Sequence, residues 1–153
     1  MRITIRTNIA MRALMFCAVN RDRIVRKAEI AKACATSENH LAQVINQLSR
    51  LGFLETLRGR GGGIRLQHAP DQLSVGQVFR AVEGNLPLAE CFTQDVASCP
   101  IQSCCRLKGV LSKAQEAFYA ELDKVTLADL TRDNDGLCKL LGMPDLQEEL
   151  VIA

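Results

Sequence analysis

Apolar residues recur at spacings of three and four over most of the chain, which is the pattern of amphipathic helices. The first such segment predicts a helix over residues 7–19, and a shorter one predicts a helix over residues 27–35. A third helix is predicted over residues 38–51, with Ser37 as its N-cap and Gly52 at its end. Two short helices joined by a turn of three or four residues are typical of a helix-turn-helix.

Two apolar runs follow the third helix, at residues 53–57 and 63–67, and the sequence RGRGGG joins them. The glycines supply the positive backbone dihedrals that a hairpin tip requires, and Arg58 and Arg60 flank them. The joint has neither the GxGxxG nor the GxxxxGK[ST] spacing of a nucleotide-binding loop. We therefore interpret it as a hairpin wing.

The rest of the chain predicts a short helix, a long helix and a closing helix. The short helix begins after Ser74 and ends at Gly84. From Cys105 one apolar stripe continues for about five turns, and no other large element remains to cover it. We expect this stripe to pack against the first domain, against a second copy of the chain, or both, and we favour a homodimer. A closing helix is expected over residues 126–130.

Charge divides the chain near residue 85. Residues 1–85 hold 13 Lys and Arg against 6 Asp and Glu, whereas residues 86–153 hold 6 against 11. A basic segment of this size suits a surface that binds nucleic-acid phosphates, because each cation near a phosphate releases a condensed counterion. The front of the chain is therefore the predicted nucleic-acid-binding part.

The polar face of the third helix carries amides, a hydroxyl, an imidazole and Arg, which can reach phosphates and base edges. A merely solvated helix more often carries Glu and Lys pairs. We therefore predict that the third helix and the wing bind double-stranded DNA, with two-fold symmetry matched to a palindromic operator. The predicted contacts are Ser37, Asn39, His40, Gln43, Asn46, Arg50, Arg58 and Arg60. Ser37 and Arg50 suit phosphates, whereas Gln43 and Asn46 suit base edges.

The predicted fold is mostly α with one small β-hairpin: a winged helix-turn-helix domain followed by a long C-terminal dimerisation helix. We place the DNA-binding domain at residues 1–85 and a cysteine-rich loop at residues 86–105. The dimerisation and closing helices are expected at residues 106–131. Residues 132–153 form a tail whose weak periodicity predicts no element.

Four of the seven cysteines lie in CFTQDVASCPIQSCCRLK, residues 91–108, which has few apolar residues. Cys17 and Cys34, by contrast, lie on apolar helix faces and are predicted to be packed thiols. The chain contains no secretory h-region and no run near the roughly 18 apolar residues of a membrane span, so we expect a cytoplasmic protein without a membrane partner. In a reducing cytoplasm, the clustered cysteines are better read as thiols or metal ligands than as disulfides.

The segments NHLAQVINQLSRLGFL, RGRGGGIRL, the cysteine loop and CRLKGVLSKAQEAFYAELDKVTLADL resemble the iron–sulfur winged-helix regulators that include IscR and RirA. Within that family the resemblance is to NsrR-type nitric-oxide-sensing repressors, over about residues 1–135. It implies a dimeric repressor that binds its operator while it holds an iron–sulfur cluster, and that releases the DNA when nitric oxide damages the cluster. The cluster thiolates implied for this chain are Cys91, Cys99 and Cys105. The resemblance favours a 4Fe-4S cluster, with 2Fe-2S as the alternative.

Two positions depart from the family pattern. Where NsrR-like chains commonly carry an Asp in a TDY stretch, this chain has Asn8, whose amide oxygen is a poorer iron ligand. The fourth ligand is therefore left open among Asn8, Asp95, Cys104 and an exogenous thiol or water. Lys108 replaces the His that follows the last cysteine of IscR, which argues against an IscR-like role.

Three other functions are alternatives to a nitric-oxide sensor. The nearest is a sibling regulator that senses iron or cluster supply. A zinc-stabilised DNA-binding regulator is disfavoured because intervals of seven and five residues between the ligands are looser than the paired CxxC of structural zinc. An enzyme or electron carrier is disfavoured because the chain has no nucleotide fingerprint and no carboxylate or His pair placed for acid–base work.

Overall fold

The computed structural model describes residues 3–84, 89, 92, 99–101 and 103–142. This part of the chain is mostly helical, with one two-stranded antiparallel sheet. The elements are α1 (Ile5–Val19), α2 (Lys27–Ala33), α3 (Glu38–Arg50), β1 (Leu54–Leu57), β2 (Gly63–Leu66), α4 (Val75–Glu83), α5 (Leu107–Asp123), α6 (Leu127–Thr131) and α7 (Asp135–Gly142). The predicted fold class is confirmed. Within the described ranges, no helix is both long and apolar enough to cross a membrane.

The helix α1 is the centre of the core. Eight of its fifteen residues are buried, among them Leu14 and Phe16, which are fully inaccessible. A helix that is apolar on most of its circumference must be covered on several sides, and α1 packs against α2, α3, α4, α6, α7 and β2. It begins two residues earlier than predicted, because the Thr4 side chain accepts a hydrogen bond from the backbone N–H of Thr7 at 3.2 Å and caps the helix.

The helix-turn-helix and the wing have the predicted order. The apolar stripe of α3 is buried, and Ser37 caps the helix by accepting from the backbone N–H of His40 at 3.3 Å. β1 and β2 pair with Leu54 opposite Leu66. The outer edge of β2 pairs in turn with Val25, whose N–H lies 3.0 Å from the carbonyl oxygen of Ile64. Strand β2 of the wing is therefore fixed, near the tip, to the segment that precedes α2.

The helices α4 and α5 pack closely at their polar faces. The Arg80 guanidinium forms two hydrogen bonds, at 2.7 and 2.5 Å, with the Asp123 carboxylate, and it also lies 4.7 Å from the centre of the Tyr119 ring. A Cβ at Gly76 would lie only 2.0 Å from Oδ1 of Asp123. Glycine at this position therefore allows Asp123 to approach α4 and reach Arg80.

The predicted apolar stripe of α5 is only half covered by the described residues. Towards its C-terminal end Phe118 lies 6.3 Å, centre to centre, from the Phe79 ring of α4. Towards its N-terminal end Leu107 and Val110 are 60% and 62% exposed. The apolar face near the start of α5 is therefore available to a partner.

A short helix, α7, occurs where the sequence predicted no element. It packs on the end of α1: the buried Asn20 side chain donates to the Leu141 carbonyl oxygen at 2.9 Å, and Leu141 is partly buried against the core. With eight residues, α7 is too short for a clear periodic pattern. Residues 143–153 of the predicted tail lie outside the described residues.

Glu83 joins the last turn of α4 to the first turn of α1. Its Oε1 accepts hydrogen bonds from the N–H and hydroxyl of Thr4, both at 3.0 Å, and from the buried hydroxyl of Thr7. Partial burial alone would raise the pKa of Glu83, but the hydrogen bonds from Thr7 and Thr4 outweigh it and lower the pKa below its ordinary value. The carboxylate form therefore stabilises this junction.

Replacing Gly76 with alanine is expected to lower the free energy of unfolding by about 1–3 kcal/mol, because the new methyl group forces Asp123 away from α4. Gly136→Ala in α7 is the matched control, since the nearest atom to its added Cβ would be 3.9 Å away. Urea unfolding followed by circular dichroism measures both. Equal stabilities for Gly76→Ala and wild type would contradict the tight α4–α5 contact.

Glu83→Gln is expected to lower the free energy of unfolding by about 1 kcal/mol at pH 7, since a charged acceptor is replaced by a neutral one at a half-exposed site. The native pKa is lowered from 4.5. The contribution of the charge is therefore complete above about pH 5, and it is lost as the pH falls through the native value. The variant and the wild type should converge in acid.

Unfolding in urea over a pH series gives this difference, and Glu55→Gln, on a half-exposed carboxylate paired with Arg65 in the wing, is the control. A difference for Glu83→Gln that stays constant from pH 7 into acid would show that the ionised carboxylate is not the cause.

Candidate DNA interface and cysteine loop

Four predicted DNA contacts lie along one line on the outside of α3. Asn39, Gln43, Asn46 and Arg50 follow each other at spacings of four, three and four residues, which places them on one helix face. All four side chains are exposed, as are Ser37 and His40 beside them. The structure therefore brings the predicted residues of the third helix to one surface, opposite the buried stripe.

Gln47 also belongs to the polar half of α3 but has a different environment. Its side chain is half-buried, and Nε2 donates to the carbonyl oxygen of Val82, in the last turn of α4, at 3.2 Å. Gln47 is thus directed into the protein, away from the exposed line.

The wing tip carries Arg58 and Arg60, both exposed. Gly59 and Gly61 have φ of +96° and +85°, which confirms the positive dihedrals expected of the tip. Neither arginine forms an ion pair with another residue of the described ranges. Their charges are therefore free, within that part of the chain, to meet an anionic ligand.

A groove of about 360 Å³ separates the wing from the helix-turn-helix, and its lining includes Asn46, Gly59, Arg26 and Lys27. Arg26 is exposed, and the Lys27 ammonium lies 3.2 Å from the Glu38 carboxylate. These two basic residues were not among the predicted contacts. The sequence did carry a signal for them: two consecutive cations at the start of the first helix of the helix-turn-helix. That helix commonly lies across the DNA backbone.

The cysteine loop is described only in part. Cys91 and Asp95 lie outside the described residues. Cys99 and Cys105 are half-buried and Cys104 is exposed, and all three are free thiols. In the ranges that the structure covers, no three His, Cys, Asp or Glu side chains come close enough together to hold a metal ion.

Two observations nevertheless fit a thiolate-bound cluster. Accessible free thiols are the soft donors that iron–sulfur clusters require. In addition, the ammonium of Lys108, three residues after Cys105, lies 5.8 Å from the centre of the Phe92 ring. Phe92 therefore lies against the first turn of α5. Phe92 and Lys108, on either side of Cys99 and Cys105 in the sequence, are therefore close in space.

Asn8 lies exposed in the first turn of α1, next to the buried Thr7 that donates to Glu83. Its placement leaves the amide accessible from outside the fold. Cys104 donates weakly to the Ile101 carbonyl oxygen at 3.4 Å. Neither position is brought to Cys99 and Cys105 in a metal-binding group within the described residues.

The two buried cysteines have a different character. Cys17 and Cys34 are 2% and 3% exposed, which confirms the prediction that they are packed thiols. Burial raises the pKa of Cys17 to about 12 and also raises the pKa of Cys34. Both thiols are therefore protonated near neutral pH, and a protonated thiol is a poor ligand and a poor nucleophile.

Comparison with known proteins gives a consistent picture. The sequence pattern of the Rrf2 family, described as iron-dependent transcriptional regulators, matches residues 3–133. The chain is 40% identical over 146 residues to the HTH-type transcriptional regulator NsrR of Bacillus subtilis, an alignment that covers 95% of this chain and 100% of that protein. It is 42% identical over 142 residues to NsrR of Geobacillus kaustophilus, covering 92% and 97% of the two chains.

Solved structures agree with this assignment. The IscR of T. potens superposes with a TM-score of 0.68 at 26% identity, over 87% of this chain and 88% of that one. CymR of B. subtilis, described as the global cysteine regulator, superposes with a TM-score of 0.67 at 22% identity, over 86% and 96% of the two chains, and supports the fold alone. The chain belongs to the Rrf2 family of transcriptional regulators.

Proposed function

We propose that this protein is a homodimeric repressor that binds a palindromic operator only while it holds an iron–sulfur cluster. Nitric oxide damages the cluster and so relieves the repression. The observation that carries this proposal is the similarity over 95% of the chain to a regulator named NsrR. The exposed line on α3, the free arginines of the wing and the accessible thiols of the cysteine loop support it.

The DNA-binding surface consists of the outer face of α3 and the wing. Gln43 and Asn46 lie in the middle of the exposed line, where their amides have the reach and fork to read base edges in a major groove. Ser37 and Arg50 flank them and contact phosphates. Arg58 and Arg60 extend from the wing tip towards a minor groove, where the negative potential is deepest. Asn39 and His40 complete the predicted set.

The second copy of the chain covers the start of α5. No residue of this 17-residue helix is buried, although Leu107 and Val110 belong to its apolar stripe. An exposed apolar face of this kind commonly marks a contact with a partner, because covering it removes apolar surface from water. Pairing two identical helices gives the two-fold symmetry that a palindromic DNA site requires. Residues 106–131 are therefore the proposed dimerisation unit and residues 1–85 the DNA-binding domain.

The proposed cluster ligands are Cys91, Cys99 and Cys105, in the loop over residues 86–105. When bound, a 4Fe-4S cluster supplies an iron atom that reacts with nitric oxide. The chain contributes thiolates from an exposed segment, whereas its packed thiols stay protonated in the core. The fourth ligand is drawn from Asn8, Asp95, Cys104 or an exogenous group, and a weak fourth ligand would leave that iron open to a small gas.

Arg58→Ala is expected to weaken operator binding by about 1–3 kcal/mol, or roughly 5- to 150-fold, because the wing loses a cation that enters a groove. Fluorescence anisotropy with a labelled operator measures the change. Arg65→Ala, which removes a wing arginine already paired with Glu55 at 2.8 Å, is the matched control and should have a smaller effect. Equal losses for the two variants would contradict a specific role for the wing tip.

Cys99→Ala is expected to abolish both the visible absorption of the anaerobically purified protein and specific operator binding, because a cluster ligand is lost. Cys138→Ala is the matched control: this half-buried thiol, which lies 3.7 Å from the Thr131 carbonyl oxygen, is outside the cysteine loop. Absorption spectra and gel shifts on the same samples give both readouts. Normal operator binding by colourless Cys99→Ala would break the proposed dependence on the cluster.

A further inference from the structure

The segment that precedes α2 is joined to the wing by two reciprocal backbone hydrogen bonds. The N–H of Val25 donates to the carbonyl oxygen of Ile64 at 3.0 Å, and the N–H of Ile64 donates to the carbonyl oxygen of Val25 at 2.8 Å. Both residues are buried, so water does not compete for these bonds. Arg26 directly follows Val25 in the chain, and its backbone is therefore held in a fixed position beside the wing.

Gly63 of β2 allows the segment to come this close. A Cβ at this position would lie 2.5 Å from the carbonyl oxygen of Val25 and 2.6 Å from Cγ2 of Ile24, closer than real Cβ contacts allow. Glycine within a strand often marks a place where another backbone approaches closely. The absence of a side chain at Gly63 therefore keeps the segment before α2, and Arg26 with it, against the wing.

Arg26 and the wing line one groove, of about 360 Å³, next to the recognition helix. The wing contributes Gly59, Gly62 and Gly63 to the lining, and α3 contributes Asn46 from its exposed line. None of the described lining residues is acidic. The groove therefore suits an extended anionic ligand that lies beside the base edges which Asn46 is proposed to read.

The charge of Arg26 is not balanced by an ion pair. Its side chain is exposed and forms no salt bridge within the described residues. Lys27, the other cation of the groove, lies 3.2 Å from the Glu38 carboxylate. Glu29 accepts from the backbone N–H of Arg26, and its other oxygen pairs with Arg23 at 2.6 Å. The Arg26 guanidinium is therefore the cation of this groove that an anionic ligand can pair with directly.

We propose that Arg26 binds a phosphate of the operator, and that the segment before α2 and the wing hold the same sugar–phosphate strand between them. This inference rests on the proposed function and adds a contact to the predicted set. Phosphates are alike at every base step, so the contact orients the protein on the duplex and reads no sequence. It also adds to the salt dependence of binding, because each neutralised phosphate releases a condensed counterion.

The test measures how strongly cluster-loaded Arg26→Gln binds the operator and an unrelated duplex over a series of salt concentrations. We expect both affinities to fall by the same factor, roughly tenfold, as for the loss of one hydrogen bond between charged groups. The slope of log affinity against log salt should become shallower by about 0.9 for each bound copy of the chain. Arg26→Lys keeps the charge and should keep the wild-type slope.

Arg132→Gln is the matched control, since it removes the same charge outside the proposed DNA-binding domain. Arg132 is exposed and borders a separate cleft beside α6 and α7, whose lining shares no residue with the groove. This variant should change the slope much less.

Three results would overturn the inference and leave the proposed function standing. They are a wild-type slope for Arg26→Gln, an equal change of slope in Arg132→Gln, and a loss of affinity by Arg26→Gln for the operator alone. Wild-type protein without preference for the operator would instead contradict the proposed function. A shallower slope for Arg26→Gln would still support the phosphate contact in that case.

Ethylation of single operator phosphates locates the contact. Neutralising the phosphate that Arg26 meets should weaken wild-type binding and have no further effect on Arg26→Gln, because the arginine that paired with it is gone. Every other phosphate contact should be equally sensitive in the two proteins. Identical ethylation patterns for wild type and Arg26→Gln would contradict the inference.

Discussion

The structure depends on how the end of α4 is held. Three helices meet at this turn: Glu83 binds the first turn of α1, Val82 accepts from Gln47 of α3, and the chain then departs towards the cysteine loop. The contact with α1 involves a carboxylate at a helix N-terminus, where the helix dipole and the capping hydroxyl groups favour a negative charge. One helical turn thus contacts the centre of the core and the helix proposed to read DNA, and it precedes the proposed cofactor loop in the sequence.

The thiols of the core and those of the cysteine loop lie in different environments. Cys17 and Cys34 are buried, and the low dielectric of the core keeps them protonated. Cys99, Cys104 and Cys105 lie on an accessible segment before α5. A reactive gas or a metal therefore meets the loop thiols first, while the packed pair contributes only to the core. The exposed apolar start of α5 directly follows the loop in the sequence. A change in the loop would therefore lie next to the proposed contact with the second copy.

Much of the fold could be predicted because its helices are strongly periodic. The stripe of α3, its Ser37 cap and the glycine-rich wing tip each have a local signal that the structure confirms. α7 gave no such signal, since eight residues that pack only on the end of α1 leave little periodicity. At the candidate site, residue type distinguished the polar face of α3 from its apolar face. It did not show which polar side chains point outward and which point into the protein. Gln47 and Gln43 are the same residue type on the same half of α3, and only the approach of α4 distinguishes them.

If the state of the cysteine loop sets the affinity for DNA, as proposed, a nitric oxide titration of the wild-type protein will reveal it. Anaerobic protein bound to a labelled operator would receive nitric oxide in small steps, while visible absorption and anisotropy are read from the same sample. The fraction of released DNA should then follow the fraction of cluster lost. DNA that stays bound after the cluster absorption has disappeared would contradict it.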